Sequence, residues 1–186
     1  MGSGALKIRE ARPADAAAIA RVQVETWHTT FRDTLPADFL AGITLAARTP
    51  SWEEELGDPA RASFVFVAEA GDGRIVGFAS CGPEREGDAE FDGEFYALYV
   101  LEAFQRAGLG RALTLAVVER LAAAGLRSML VRALEVNDAG RRFYEKLGGH
   151  LARNGSVTRG AHTFPTVGYG WTDIARLRER LGGGQR

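Results

Sequence analysis

The stretch Gln105-Arg106-Ala107-Gly108-Leu109-Gly110-Arg111 holds the residues best placed for chemistry in this chain. Its two glycines, one residue apart and directly before a helical pattern, let an anion approach the backbone with no Cβ in the way. The N–H groups of a first helical turn lack intrahelical partners and carry partial positive charge, so a pyrophosphate would fit there. A turn before a helix also favours glycine, and the pair alone serves either purpose. Two familiar nucleotide loops fit poorly. No Lys-Ser or Lys-Thr follows the glycines, and Leu113 stands where a dinucleotide fingerprint needs a small residue.

Other candidates are few. Cys81 is the only cysteine, which excludes an internal disulfide and a cysteine-rich metal site, and it reads as a small core residue. His150 and His162 have no metal-type spacing with each other or with Cys81, so no metal is expected. Tyr144 lies about 100° round from Phe143 and one turn after Gly140, on a helix whose core stripe would be Ala139, Phe143 and Leu147. It can face a ligand or pack as an ordinary aromatic. Glu84, Glu86, Asp88, Glu90 and Asp92 form an acidic run that reads as a solvated loop or as a field steering a cationic partner.

The elements that position these residues follow from periodicity. Leu6–Ala11 predicts a strand, and Pro13 opens a helix with Ala16, Ile19, Ala20 and Trp27 on one face. Pro36, Gly42 and Pro50 break the helical pattern of residues 30–56 into short helices. Phe64–Ala68 and Ile75–Ser80 form a hairpin about Gly71-Asp72-Gly73. Phe95–Val100 is apolar on both faces, as a strand buried on both sides should be, and Leu109, Leu113, Val117 and Leu121 give a helix ending at Gly125. Met129–Leu134 is a further buried strand, and Asp138 caps a helix reaching Leu147. Strands follow up to about Gly155 and over Phe164–Trp171, the latter at an edge because Pro165 cannot donate to a ladder. The fold class is α/β (α+β in some schemes), with a mixed central sheet of about six to seven strands and helices on both faces.

Composition bounds the partners. The 186 residues, 46% of them hydrophobic, suit one domain over residues 6–181, with 1–5 a flexible start or expression scar and 182–186 a disordered tail. A formal charge of -1 gives no field for nucleic acid or an acidic membrane. No apolar run reaches the roughly 18 residues of a membrane helix, no secretion signal is evident, and Leu6 stands where a lipidation motif wants Ser or Thr. A cytoplasmic protein with a small-molecule or peptide partner is expected; a homodimer is compatible with these residues.

Gln105, Gly108 and Gly110 match the cofactor motif of the GNAT superfamily of acetyltransferases: Gln or Arg, two residues, Gly, one residue, then Gly or Ala. Ala97–Val100 resembles the family's fourth strand, and Asn137 with Phe143-Tyr144-Glu145-Lys146-Leu147-Gly148 resembles its later cofactor-binding helix. The resemblance covers roughly Leu6–Trp171 and is strongest over Glu94–Gly148; Trp27, Phe31, Pro36 and Trp52 are similar to one branch.

The resemblance implies that acetyl-CoA lays its pantetheine beside Leu98, Tyr99 and Val100 and its pyrophosphate on the amides of Arg106, Ala107, Gly108, Leu109, Gly110 and Arg111. Gln105 would support the turn, the Arg106 and Arg111 side chains would add charge, and Asn137 would hold the pantetheine. Tyr144 would donate a proton to the departing thiolate, and Glu94 would be the general base, with Glu135 second. Arg132 stands where some members carry a glutamate on the next strand, a departure from their peptide-amine mechanism. Trp27, His28 and Phe31 would border the acceptor, with Trp52 beside them; His28 could be a base or a helix-surface residue, and the aromatics could equally be core. The implied activity is N-acetyl transfer to a primary amine. The alternative is a non-catalytic acyl-CoA sensor or interaction module.

Overall fold

In a computed structural model that describes residues 6–183, the alternating and β-branched segments form seven strands. They are β1 (Lys7–Glu10), β2 (Phe64–Glu69), β3 (Ile75–Pro83), β4 (Gly93–Val100), β5 (Met129–Leu134), β6 (His150–Arg159) and β7 (His162–Trp171). One sheet of order β1-β2-β3-β4-β5-β7-β6 contains them all. β4 and β5 run parallel while β1–β2, β5–β7 and β6–β7 are antiparallel, so the sheet is mixed, as expected. The expectations for residues 1–5 and 184–186 lie outside the described residues. Contacts divide the chain into two units: one up to Ser80 with Ala97–Val117, the other Cys81–Tyr96 with the chain from Val118.

In the first unit a short turn of 3-10 helix, Pro13–Asp15, leads into α1 (Ala16–Phe31). Arg9 fixes this entry by donating to Asp15 and to Glu69 of β2, both at 2.7 Å. Ile19 and Val22 of α1 pack with Val65, Val67 and Phe78 of the sheet in an apolar core where each side chain is worth about 1.5–3 kcal/mol. The hairpin closes as expected, with Ala70 and Arg74 bonded and Gly73 at φ +82. α2 (Ala37–Ala41) and α3 (Leu45–Gly57) follow, α3 capped by Thr44. Pro50 does not break the helix as expected: it lies inside α3 on the exposed side, and the helix forgoes that residue's N–H bond. Trp52 and Leu56, two and six residues on, pack against the core and hold the segment helical.

α4 (Leu109–Ala123) supplies residues to both units, and Gly125 ends its last turn at φ +84. In the second unit α5 (Asp138–Lys146) is capped by Asn137 and not, as expected, by Asp138: the Asn137 side chain accepts from the Gly140 N–H at 3.0 Å. The buried residues towards the end of α5 are Tyr144 and Leu147, while Ala139, expected in the core stripe, is exposed. Pro165 is not on an edge strand, because β7 lies between β5 and β6. Its carbonyl accepts from Glu135, so its nitrogen points to the same side, past the last β5 pair at Leu134–Thr166, where no ladder bond is needed. α6 (Ile174–Gly182), capped by Asp173, was not expected; it buries Ile174, Leu177 and Leu181 and takes in Gly182, which the expected tail included. Among the described residues no helix is long and apolar enough to cross a membrane.

Candidate active site

Within the first unit, β4 is not buried on both faces throughout. Ala97, Leu98 and Tyr99 are half-buried, and only Val100 closes the strand in the core. The chain then turns through Leu101 and Glu102–Phe104. Gln105 donates its side-chain amide to the Val100 carbonyl at 3.0 Å, which ties the end of the strand to the start of the loop. Arg106 adopts φ 60 and Gly108 φ 82, two left-handed residues that reverse the chain before α4. A left-handed arginine is strained in a way that glycine is not, so the loop is held in this shape. Gln105, Arg106, Ala107 and Gly108 are exposed, Gly110 and Arg111 half-buried, and Leu109 is buried as the helix anchor. The N–H groups of Leu109, Gly110 and Arg111 form the first turn, ahead of the Ala112–Gly108 bond, and have no intrahelical acceptor. An exposed loop of this shape fits an anion such as a pyrophosphate.

The aromatic residues of the first unit form a row beside β4. Trp27 donates its indole N–H to the Tyr99 hydroxyl at 3.0 Å, and its ring lies 5.0 Å from Phe31 and 5.9 Å from Phe39. On the other side Phe78 lies 5.2 Å from Tyr99 and 5.1 Å from Trp52, whose indole N–H donates to Gln23. Trp27, Phe39, Trp52 and Tyr99 keep part of their surface exposed, while Phe31 is buried. Phe31 is thus a backing residue for Trp27. His28 is exposed, with Nε2 donating to the Ile43 carbonyl at 2.9 Å.

In the second unit Glu94 is the second residue of β4. It is 2% exposed, and Arg85 reaches it with two bonds, Nε to Oε2 at 2.9 Å and a terminal nitrogen to Oε1 at 2.8 Å. Arg132 on β5 stands 2.9 Å from the same Oε1 and also binds Glu84 at 2.7 Å and Glu86 at 3.1 Å. The rest of the acidic run is likewise matched: Arg153 binds Asp88 and Glu90, and the Asp92 carboxylate accepts from the Arg127 and Ser128 amides. Hydrogen bonding to Arg153 brings the Asp88 carboxyl down to about 2. Arg132 and Arg153 thus offset part of the run's charge and leave it net negative.

Tyr144 is buried among rings: Phe143 at 5.5 Å, Tyr169 at 6.1 Å, Trp171 at 6.3 Å and Phe95 at 6.4 Å. Phe95 and Glu94 are successive on β4 and point to opposite faces, so the carboxylate and the Tyr144 ring lie on different sides of the strand. Glu135 is exposed beyond β5. Arg85 and Tyr96, which border Glu94, were missed from the sequence. Tyr96 follows Glu94 by two on a strand, so the period of two could have found it; no local pattern announces Arg85. Cys81 is 0% exposed and burial pushes its thiol up to about 12. Among the described residues no group of three His, Cys, Asp or Glu side chains could hold a metal ion.

Residues 24–149 match the model of the acetyltransferase (GNAT) family. The chain belongs to this family, as an acyltransferase that transfers groups other than aminoacyl groups. It is 34% identical over 174 residues to YuaI of Bacillus subtilis (strain 168), which bears the name uncharacterized N-acetyltransferase; the match covers 94% of this chain and 97% of that one. Its fold is similar to that of the PaiA N-acetyltransferase from Thermoplasma acidophilum, solved with coenzyme A, with TM-score 0.71 at 18% identity over 88% of this chain and 98% of that one. YncA from Salmonella typhimurium, solved with acetyl-CoA, gives TM-score 0.66 at 22% identity over 92% and 95%.

Proposed function

We propose that residues 6–181 act as one acetyltransferase domain that moves an acetyl group from acetyl-CoA to a primary amine of a small molecule or peptide. The observation that carries this reading is the exposed loop from Gln105 to Gly108, two of whose residues are left-handed and which opens onto the first-turn N–H groups of α4. Amides from Arg106 to Arg111 hold the donor's phosphates in this reading, with the Arg106 and Arg111 side chains adding charge. The backbone of half-buried Leu98 and Tyr99, with buried Val100 after them, takes the pantetheine as an added strand. Asn137, already fixed as the cap of α5, offers its amide N–H groups to the same arm.

The donor supplies an acetyl group activated as a thioester. Tyr144 donates a proton to the leaving sulfur, and its aromatic surroundings hold the hydroxyl in one place. Glu94 receives the proton of the amine once Arg85 has moved off its carboxylate. Trp27 and Tyr99, backed by Phe31, border the acceptor, with His28 at the rim. Transfer is direct: a fully buried thiol with a raised pKa makes Cys81 unsuited to carrying the acyl group.

Release of free thiol from acetyl-CoA, followed while the purified chain meets a panel of aliphatic amines, amino sugars and peptides, tests the reading. Amine-dependent thiol release supports it; no release above the rate of the uncatalysed mixture with any amine counts against it.

A further inference from the structure

We propose that the Glu94 carboxylate and the Tyr96 ring form the seat of a cationic amine acceptor, and that Arg85 occupies this seat until the acceptor displaces it. The acceptor's fate rests on the acetyltransferase reading; the seat itself rests on geometry. Glu94 and Tyr96 are two residues apart on β4 and share one face of it. Arg85 binds both oxygens of Glu94, and its guanidinium carbon lies 3.9 Å above the centre of the Tyr96 ring. A carboxylate beside an aromatic face is the combination that holds an ammonium or a guanidinium. The Tyr96 hydroxyl donates to the Pro83 carbonyl at 2.6 Å, which fixes the ring.

The two partners differ in exposure. The Arg85 side chain is 59% exposed and that of Glu94 is 2% exposed, so the arginine is the cover and the carboxylate is the floor. Lifting the cover needs no movement of the loop. Its frame is held by Arg132 on Glu84, by Arg153 on Asp88 and by the Glu84 N–H on the Asp92 carbonyl at 3.0 Å, none of which involves the Arg85 side chain. Charge decides what can take its place. Glu84, Glu86 and Glu94 face the guanidiniums of Arg85 and Arg132, three negative charges against two positive. With Arg85 gone the balance is three against one, which favours a cation over a neutral or anionic replacement. The acceptor class is therefore an aliphatic amine that arrives protonated, in preference to an arylamine, which is neutral at pH 7. Because Arg85 is tethered next to its own site, it competes with every acceptor and weakens acceptor binding.

The test is a titration of n-butylammonium chloride, with n-butanol as its uncharged counterpart, into the full chain at constant ionic strength, followed by NMR. Arg85→Ala is expected to bind n-butylammonium about tenfold more tightly than the wild type, the scale of a charge-assisted hydrogen bond. Arg85→Lys, which keeps a cation in place, is expected to stay near wild type, and Arg85→Ala with Glu94→Gln to lose the gain. Arg85→Gln repeats the measurement with a longer uncharged side chain. Equal affinity in the wild type and in both uncharged variants overturns the seat, as does a gain shared by n-butanol or one that survives Glu94→Gln. Thermal unfolding of the wild type with acetyl-CoA separates the two readings. A shift with acetyl-CoA but no gain for the amine removes the seat alone, and the absence of that shift removes the transferase reading while the amine titration still decides the seat.

Discussion

The indole N–H of Trp27 donates to the hydroxyl of Tyr99 across 3.0 Å, joining α1 to the second half of β4 in the first unit. Both side chains keep part of their surface exposed, so the bond is half-buried and not in the deep core. Trp27→Phe is expected to cost about 1 kcal/mol of stability, one hydrogen bond's worth. If this pair borders the acceptor, the variant raises the acceptor's KM and leaves acetyl-CoA binding as it was. Steady-state kinetics with both substrates varied would show it; an unaltered acceptor KM would remove Trp27 from the acceptor wall.

Tyr144→Phe keeps the ring that packs on Phe95, Tyr169 and Trp171 and removes only the hydroxyl. We expect turnover to fall by about 10²-fold, the lower end of what a positioned acid contributes, with the Tm nearly unchanged. Turnover equal to wild type would leave Tyr144 as a packing residue.

Gly108→Asp places a carboxylate on the exposed loop at φ +82. Both strain and charge oppose an anion there, and Gly108→Ala carries the strain alone. Since a ligand at a hundredfold excess over its Kd stabilises the native state by about 2.7 kcal/mol, acetyl-CoA should raise the Tm of wild type and Gly108→Ala but not of Gly108→Asp. Equal shifts in all three would place the phosphates elsewhere.

Acid should weaken the second unit through Asp88. Its pKa is lowered to about 2 by hydrogen bonding to Arg153, against an ordinary carboxyl near 4 in the unfolded chain. A depressed folded pKa contributes stability that is fully present above about pH 4 and is lost as the pH falls towards about 2. Arg153→Gln removes that contribution. Urea titrations at pH 7 should find the variant less stable than wild type, and the difference should shrink between about pH 4 and pH 2; a difference independent of pH would dismiss this linkage.

Gly93 opens β4 where a Cβ would lie 2.8 Å from the Ser128 carbonyl oxygen of the neighbouring chain segment. Backbone cannot yield as a side-chain tip does, so Gly93→Ala is expected to cost about 1–3 kcal/mol. A wild-type denaturation midpoint would mean that the strands part readily at this point.

What could be read from the sequence was what short-range pattern encodes. The glycine spacing of Gln105–Gly110 and the four-residue period of Leu109, Leu113, Val117 and Leu121 placed the loop and α4 together. Ile174, Leu177 and Leu181 with Asp173 before them carried the same kind of signal for α6, which went unread. The surroundings of Glu94 were not legible, because ion pairs are made across the fold: Glu84 meets Arg132 across 48 residues and Asp88 meets Arg153 across 65. A run of acidic letters looks solvated until the arginines that fold onto it are known. Pro165 misled for a related reason, since a proline says which N–H is missing but not where the neighbouring strand stops.

The lone thiol on β3 has a practical side. Cys81 is 0% exposed and its pKa stands at about 12, so in the folded chain it meets neither solvent nor alkylating reagent. Modification can proceed only from molecules whose β3 has opened, and its rate becomes a clock for that opening. The chain carries its own label for following how firmly the middle of the sheet is held, and any ligand that tightens the sheet should slow the clock without touching the cysteine.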